Sequence, residues 1–184
     1  MCTVCYMTVL DDHMAEILLS PAQVLAAVAD IERRSALLAL AVRRLETSGE
    51  YATGGAVSIN AWLREHARMT HQRAGELVST GRFLDTYPAF AQAAVAGTLS
   101  GSQIDIARRL NRHKYATALA AHQTELVELL ATADITVTGK LVDHWRTCAD
   151  AVADDDAAPG LEPVCELMFG RTLDNELHLS LIHI

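Results

Sequence analysis

Two groups of basic side chains in the middle of the chain have the arrangement of a nucleic-acid contact. The first surrounds one predicted helix break and comprises Arg64, Arg68, His71 and Arg73. The second lines another break and comprises Arg108, Arg109, Arg112 and Lys114. In each case a helix begins after a Thr or Ser, so that backbone N–H groups and basic side chains face a phosphate together, as in a helix-turn-helix on duplex DNA. A small helical bundle turns in the same way, so solvated Arg side chains on a bundle surface are the alternative.

The two predicted breaks are also alike in sequence. Ala67-Arg68-Met69-Thr70 in the first corresponds to Gly97-Thr98-Leu99-Ser100 in the second. Thr70 and Ser100 are good N-caps, and an apolar residue follows each of them four positions later, Ala74 and Ile104. We therefore predict that Ala74 and Ile104 are buried beneath two similar corners.

Residues that bind metals or act in catalysis are present, but their spacing does not form a site. Cys2 and Cys5 have the spacing of half a zinc site, whereas Cys148 and Cys165 lie far apart without a paired His, so reduced thiols are expected. None of the eight His residues lies in a His-Glu-x-x-His frame. The run Asp154–Asp156 lacks the Gly turn and Glu of a calcium loop. We expect no catalytic residue, no metal and no cofactor in this chain.

Charge is distributed unevenly along the sequence. The net charge of −8 argues against a protein that coats nucleic acid or an anionic membrane. Residues 58–115, however, hold eight Lys or Arg against four acids, so this window carries +4 and the flanks carry −12. The flanks therefore have the charge to shield or orient a locally basic middle.

The bulk composition predicts one helical domain. A chain of 184 residues that is 51% hydrophobic is long enough to bury one core. Aromatic residues make up 5%, while Ala and Leu recur, which favours helix interfaces over sheet faces. A secretory signal requires a basic N-terminal region, but no Lys or Arg precedes Arg33. No apolar run reaches the ~20 residues of a membrane span. We expect a cytoplasmic protein with no membrane partner.

The strongest predicted element is one long helix between Ser20, an N-cap followed by Pro21, and Gly49. Apolar or small residues form a seam along it with alternating steps of four and three. They are Val24, Val28, Ile31, Ser35, Leu38, Val42 and Leu45. We expect this seam to fold onto the chain's own helices; pairing with a second copy as a homodimer is the alternative.

Six shorter helices are predicted after the loop at residues 51–57. Ser58 caps the first, whose inward face is Ile59, Trp62, Leu63 and His66. Thr70 caps the second, which is buried through Ala74, Leu77, Val78, Gly81 and Leu84. The third runs from Pro88 to Gly97, and the fourth opens at residues 100–102 with Ser102 and Asp105 as a capping box. Two more helices follow, separated by a break from Thr136 to Gly139.

Four segments result: a poorly ordered extension (1–19), a helical domain (20–153), an acidic linker (154–164) and a β-hairpin (165–184) around an Asp174-Asn175 turn. The predicted fold class is mainly α, a multi-helix bundle with a long N-terminal helix and a short C-terminal hairpin. A hairpin alone is marginally stable. We therefore expect a fragment whose hairpin starts a truncated segment, or whose last few residues are not native.

Several short motifs occur in a characteristic order. They are Ser58-Ile59-Asn60-Ala61-Trp62-Leu63, Met69-Thr70 with Ala74, Gly81-Arg82-Phe83-Leu84, Pro88, Ala96-Gly97-Thr98-Leu99-Ser100, His144-Trp145 and Arg171-Thr172-Leu173-Asp174. On these residues the chain from about Pro21 to Leu179 resembles the domain-of-unknown-function 222 family, or 13E12 repeat family, of actinobacterial proteins. One departure is Gln103, where the family more often has His.

Members of that family often carry an HNH nuclease domain after this helical region, so the resemblance implies a role near DNA. An HNH site needs a general-base His and further metal ligands, and we expect no such segment in this chain. The leading hypothesis is a non-catalytic accessory module that positions a nuclease-like partner on double-stranded DNA. The rival is an interaction or oligomerisation module without a nucleic-acid role, and an enzyme with an unfamiliar site is a third possibility.

Overall fold

The computed structural model describes the backbone of residues 20–155, 165–171 and 177–183, and the side chains of residues 20–151. This part of the chain is mainly helical, which confirms the predicted class. Its seven α-helices are α1 (Pro21–Ser48), α2 (Ile59–His66), α3 (His71–Thr86), α4 (Pro88–Ala96), α5 (Gly101–Ala107), α6 (Ala116–Ala131) and α7 (Ile135–Asp155). The predictions for residues 1–19 and for most of the acidic linker lie outside the described residues.

Two short strands, β1 (Cys165–Arg171) and β2 (Leu177–His183), pair antiparallel. In their register Leu167 lies opposite Leu181, and Phe169 lies opposite Leu179. The connection with the predicted Asp174-Asn175 turn lies outside the described residues, so the complete hairpin stays a prediction.

Local signals determine both ends of α1. Gln23 N–H donates to Ser20 Oγ at 3.3 Å, and Ser20 N–H donates to Gln23 Oε1 at 2.8 Å, which forms a capping box. Gly49 ends the helix with φ 74°, a conformation that a residue without Cβ adopts at little cost. The predicted long helix is confirmed, and its 28 residues span about 40 Å.

The core forms where the C-terminal half of α1 packs on α3. Ala36, Ala39 and Val42 are the buried residues of α1. A Cβ added at Gly81 would lie 2.3 Å from the carbonyl oxygen of Ala39, so the two helices cross at a distance that only glycine permits there. Small residues at this crossing therefore bring the backbones together.

Ion pairs reinforce the same crossing at its solvent edge. Arg43 Nε donates to Asp85 Oδ2 and Arg43 Nη1 donates to Glu46 Oε2, at 2.9 and 2.8 Å. Arg82 also donates to the Glu46 carboxylate, with Nε 3.1 Å from Oε2. Glu46 thus joins arginines from both helices.

The predicted buried face of α3 is confirmed, since Ala74, Leu77, Val78, Gly81 and Leu84 are all buried. Three aromatic residues continue this core around the α3–α4 junction: Phe83, Tyr87 and Phe90, with ring centroids 5.0 to 6.5 Å apart. On α7, Trp145 is 2% exposed and meets the ring of Tyr115 edge-on at 5.8 Å. Trp145 therefore belongs to the buried core.

The prediction that His66 faces inward is wrong. His66 is the last residue of α2 and is exposed, and its ring stacks on that of the half-buried Trp62 at 5.0 Å. Ile59 and Leu63 alone are the buried residues of this helix. The His66 ring instead stays on the helix surface, with Nδ1 3.1 Å from the carbonyl oxygen of Trp62.

The predicted break at Thr136 to Gly139 is also wrong, because α7 begins at Ile135. Asp134 Oδ1 accepts the N–H groups of Thr136 and Val137, each at 2.8 Å. Thr138 is fully buried in the helix that follows. Capping and burial outweigh the low helix propensity of these β-branched residues. At its other end, α7 continues to Asp155, two residues into the segment predicted as linker.

The seam of α1 divides into two parts. Val42 is buried and Leu45 packs partly against the core, as predicted. Val24, Val28, Ile31 and Leu38, in contrast, are exposed among the described residues. The expectation that the whole seam folds onto the described helices is therefore wrong. These helices leave Val24, Val28 and Ile31 uncovered, and near Leu38 they pack on Ala36 and Ala39 instead.

Candidate nucleic-acid interface

The chain turns sharply between α2 and α3. The helix α2 ends where Ala67 N–H donates to the carbonyl of Leu63 at 3.0 Å. Arg68 follows with φ 54°, a left-handed conformation that glycine usually adopts after a helix end. Arg73 N–H then donates to Thr70 Oγ1 at 3.2 Å, which caps α3. The first predicted corner, with its Thr cap, is confirmed.

We define the basic corner as Arg64, Arg68, His71 and Arg73. All four side chains are exposed. Among the described residues, no carboxylate lies within ion-pair distance of its three arginines. Its position at the N-terminus of the 16-residue α3 adds the positive end of the helix dipole. Unpaired guanidinium groups beside free helix N–H groups form a surface that attracts phosphate.

The second predicted corner is confirmed in its backbone. Gly97 ends α4 with φ 79°, and Gln103 N–H donates to Ser100 Oγ at 3.2 Å to begin α5. Ile104 is buried below this cap, and Ala74 is buried below the cap of the first corner. The two corners therefore share a capped helix start above a buried apolar residue.

The second basic group lies elsewhere than predicted. Arg108, Arg109, Arg112 and Lys114 follow the last residue of the seven-residue α5, in the connection to α6, which contains two 3₁₀ turns. They therefore do not line the capped start of α5. The cause is that Arg108 already lies eight residues after the Ser100 cap, so the group belongs to the opposite end of α5, where Leu110 is buried.

Two members of this second group are engaged by carboxylates. Lys114 pairs with Asp150, which also accepts the Tyr115 hydroxyl at 2.7 Å. Hydrogen bonding to Asp150 raises the pKa of Lys114, and the same bond lowers the pKa of Asp150. Arg108 pairs with Asp105 at 3.3 Å. Arg109 and Arg112 are exposed and have no ion pair with the described acids, so they are the members available to a ligand.

A cavity of about 190 Å³ separates the start of α3 from α5. Its polar lining includes Arg73 and Glu76 from α3, Asp105 from α5 and Glu32 from α1. Glu32 Oε2 accepts the N–H of Gly101 at 2.6 Å, which anchors α1 to the start of α5. The lining of this cavity therefore holds three carboxylates and one guanidinium, which makes it acidic. The positive surface of the corner therefore does not extend into this cavity.

Gln103 has a structural role that the sequence analysis did not assign. Its side chain is 9% exposed, and Nε2 donates to the carbonyls of Leu130 and Ala133 at 2.8 and 3.1 Å. The third acceptor is Thr138 Oγ1 at 3.2 Å. Gln103 thus joins α5 to the end of α6 and the start of α7.

Gln103 also replaces the predicted partner in the capping box of α5. Its Oε1 accepts the backbone N–H of Ser100 at 3.0 Å, so the box consists of Ser100 and Gln103. The prediction of a box between Ser102 and Asp105 is wrong. The Ser-x-x-Gln spacing that the capping box requires was visible in the sequence.

Reactive side chains do not gather elsewhere in the described residues. No group of three His, Cys, Asp or Glu there has the geometry to hold a metal ion. Burial raises the pKa of the Cys148 thiol, so it stays protonated at neutral pH, with Sγ 3.7 Å from His144 Nε2. The predictions for Cys2, Cys5 and Cys165 concern side chains outside the described residues.

Comparison with known proteins identifies no relative of this chain. No protein-family model, curated protein or solved structure matches the chain. None of the described helices has both the length and the apolar character needed to span a membrane.

Proposed function

We propose that this protein is a non-catalytic helical module that binds double-stranded DNA through its basic corner and positions a nuclease-like partner domain there. The observation that carries the proposal is a set of three exposed arginines and one His at a capped helix start, without acidic partners among the described residues. The resemblance to the 13E12 repeat family, whose members often carry an HNH nuclease domain, supports the same conclusion.

The chemistry of the corner favours contacts to the phosphate backbone over base reading. Beyond its first turn α3 is acidic at Glu76 and mostly buried, so it offers few side chains to a groove. Outside the corner, the side chains that the structure describes include 11 Lys or Arg and 13 Asp or Glu, so this surface is close to neutral. Binding through such a narrow basic zone is electrostatic, weakly selective for sequence and strongly dependent on salt.

The second basic group extends this contact to a limited degree. Arg109 and Arg112 are the two members that are free of ion pairs with described acids. Arg108 forms an ion pair with Asp105, and Lys114 forms one with Asp150. The basic corner therefore carries most of the proposed affinity.

A triple variant tests the proposal: Arg64→Gln, Arg68→Asn and Arg73→Gln. Asn is chosen at position 68 because it tolerates the left-handed backbone. A matched control removes three exposed charges from other helices, through Arg33→Gln, Arg44→Gln and Lys140→Gln. Fluorescence anisotropy with a labelled duplex of about 20 base pairs at low salt measures affinity, and the corner variant is expected to bind at least about tenfold more weakly.

The control variant keeps its affinity within about threefold if the corner is the contact. Circular dichroism and thermal unfolding verify that both variants are folded. Equal losses of affinity in the two variants would mean that binding depends only on the overall charge of the protein. No binding by the wild-type protein would exclude the DNA contact and leave the rival, an interaction module without a nucleic-acid role.

A further inference from the structure

Two aromatic rings on α2 form a stacked pair next to the basic corner. The ring centroids of Trp62 and His66 lie 5.0 Å apart, with 16° between the ring planes. Trp62 is half-buried and packs against the core, whereas His66 is exposed. Trp62 covers one face of the His66 ring, and no second ring of the described residues covers the other face. The outer face of His66 is thus an exposed aromatic surface.

Two contacts hold the His66 ring in this orientation. The carbonyl oxygen of Trp62 lies 3.1 Å from His66 Nδ1, so that the ring donates a hydrogen bond to it. The stack on Trp62, which the core supports, restrains the plane of the same ring. A ligand that stacks on His66 therefore meets a surface that is already ordered, which lowers the entropic cost of binding.

The chain places this ring beside Arg68 of the basic corner. Met69 N–H donates to the carbonyl of Leu63 at 3.5 Å, so residues 67–69 fold back on the last turn of α2. Arg68 follows His66 by two residues, and two Cα–Cα steps place their Cα atoms at most about 7.6 Å apart. Arg68 is exposed and has no ion pair with a described acid. An aromatic face and an unpaired guanidinium are therefore neighbours.

This combination has the chemistry of a site for an unpaired nucleotide, whose base stacks on an aromatic ring while its phosphate contacts a cation. A base inside an intact duplex cannot stack in this way, because the neighbouring base pairs cover both of its faces. Stacking tolerates any sequence, since every base has a π face. We propose that His66, supported by Trp62, is a stacking site for one unpaired base beside the duplex that the basic corner binds. The inference rests on the proposed DNA contact and adds the form of DNA that the corner prefers.

Two labelled duplexes of about 20 base pairs test the inference. One carries a single extra, unpaired adenine in the middle of one strand, and the other carries an abasic residue at the same place, so their phosphates are equal in number. In fluorescence anisotropy, the wild type is expected to bind the duplex with the unpaired adenine at least about fivefold more tightly, because base–aromatic stacking contributes that much. Since the charges are equal, this ratio should stay constant as salt rises.

Variants of the ring decide whether His66 causes the preference. His66→Ala should reduce the ratio of the two affinities to about one, because the stacking surface is lost. His66→Phe should keep the preference, since a phenyl ring can stack on Trp62 and present its other face to the base. The control is His71→Ala, which should leave the ratio unchanged: His71 is exposed in the same corner but stacks on no ring of the described residues. Circular dichroism verifies that all three variants are folded.

Equal affinity of the wild type for the two duplexes, or a preference that survives His66→Ala, overturns the inference. In both cases DNA is still bound, so the proposed function stands. A wild type that binds neither of these duplexes nor an intact one excludes the DNA contact itself, and the inference falls together with the proposed function.

Discussion

At the scale of single residues, Arg68 combines a backbone cost with an exposed charge. Its φ of 54° is unfavourable for a side chain with Cβ, and glycine usually occupies this position after a helix end. The guanidinium is exposed and has no carboxylate partner among the described residues. Nothing in the part of the fold that the structure describes therefore requires Arg at this position, whereas a phosphate contact would use it.

Arg68→Gly is consequently expected to raise stability while it weakens DNA binding. Relief of the left-handed conformation should add about 0.5–1 kcal/mol to the free energy of unfolding. Arg64→Gly removes an equal charge inside α2, where glycine should instead lower the free energy of unfolding by about 0.5–1 kcal/mol. Chemical denaturation measures both effects. A loss of stability in Arg68→Gly would show that the Arg side chain stabilises the corner.

Glu46 makes the α1–α3 contact dependent on pH. Hydrogen bonding from Arg82 is the largest effect that lowers the pKa of Glu46, and hydrogen bonding from Arg43 acts in the same direction. A carboxyl whose pKa falls on folding stabilises the protein above its ordinary value of 4.5, and this stabilisation disappears as pH falls through the lowered pKa.

Glu46→Gln should therefore cost on the order of 1–2 kcal/mol at pH 7, and less as the solution becomes more acidic than the ordinary value for Glu. Urea unfolding of both proteins over a pH series measures this gap. A gap of constant size across the series would mean that the charge of Glu46 contributes nothing to the contact.

At the scale of elements, the close crossing of α1 and α3 depends on Gly81. An added methyl group would meet the carbonyl of Ala39, which belongs to the backbone and cannot rotate away. Gly75 lies on the same helix, and nothing stands within 4 Å of a Cβ built there. The helix thus has room for a Cβ atom at Gly75 but not at Gly81.

Gly81→Ala is expected to destabilise the protein by about 1–3 kcal/mol, because the helices must move apart. Gly75→Ala should stabilise it by about 0.5–1 kcal/mol through helix propensity. Thermal unfolding of the two variants measures the difference. Similar effects of the same sign in both would contradict the close crossing.

The helix ends show which parts of the fold a sequence can predict. Ser20, Thr70, Gly49 and Gly97 were correctly assigned as caps, because capping is decided by a residue and its immediate neighbours. The start of α7 also has a local signal, since Asp134 caps the N–H groups of Thr136 and Val137, whereas the bond between Gln103 and Thr138 joins residues 35 positions apart. Local rules cannot predict a contact of that kind.

The same distinction applies to the candidate site. Exposure of the basic corner followed from its position beside a helix break. The pair of Arg108 with Asp105 spans three residues and was visible in the sequence, whereas the pair of Lys114 with Asp150 spans 36 and was not. Sequence alone therefore overestimated the second basic group.

At the scale of the whole molecule, the protein is acidic in net charge and presents an exposed basic corner among its described residues. The net charge of −8 opposes approach to DNA except where the corner faces it. Binding should then involve few phosphates. Each Lys or Arg that contacts a phosphate releases counterions from the duplex. The number of contacts is measurable without knowledge of any DNA sequence.

The most direct test of the DNA contact is the slope of log Kd against log salt for the wild type and the two triple variants. The affinity of the wild type should fall as salt rises, and removal of Arg64, Arg68 and Arg73 should reduce the slope by about 2–3, since each phosphate contact contributes roughly 0.9. The control without Arg33, Arg44 and Lys140 should keep the wild-type slope. An unchanged slope in the corner variant would contradict the claim that this corner holds the DNA.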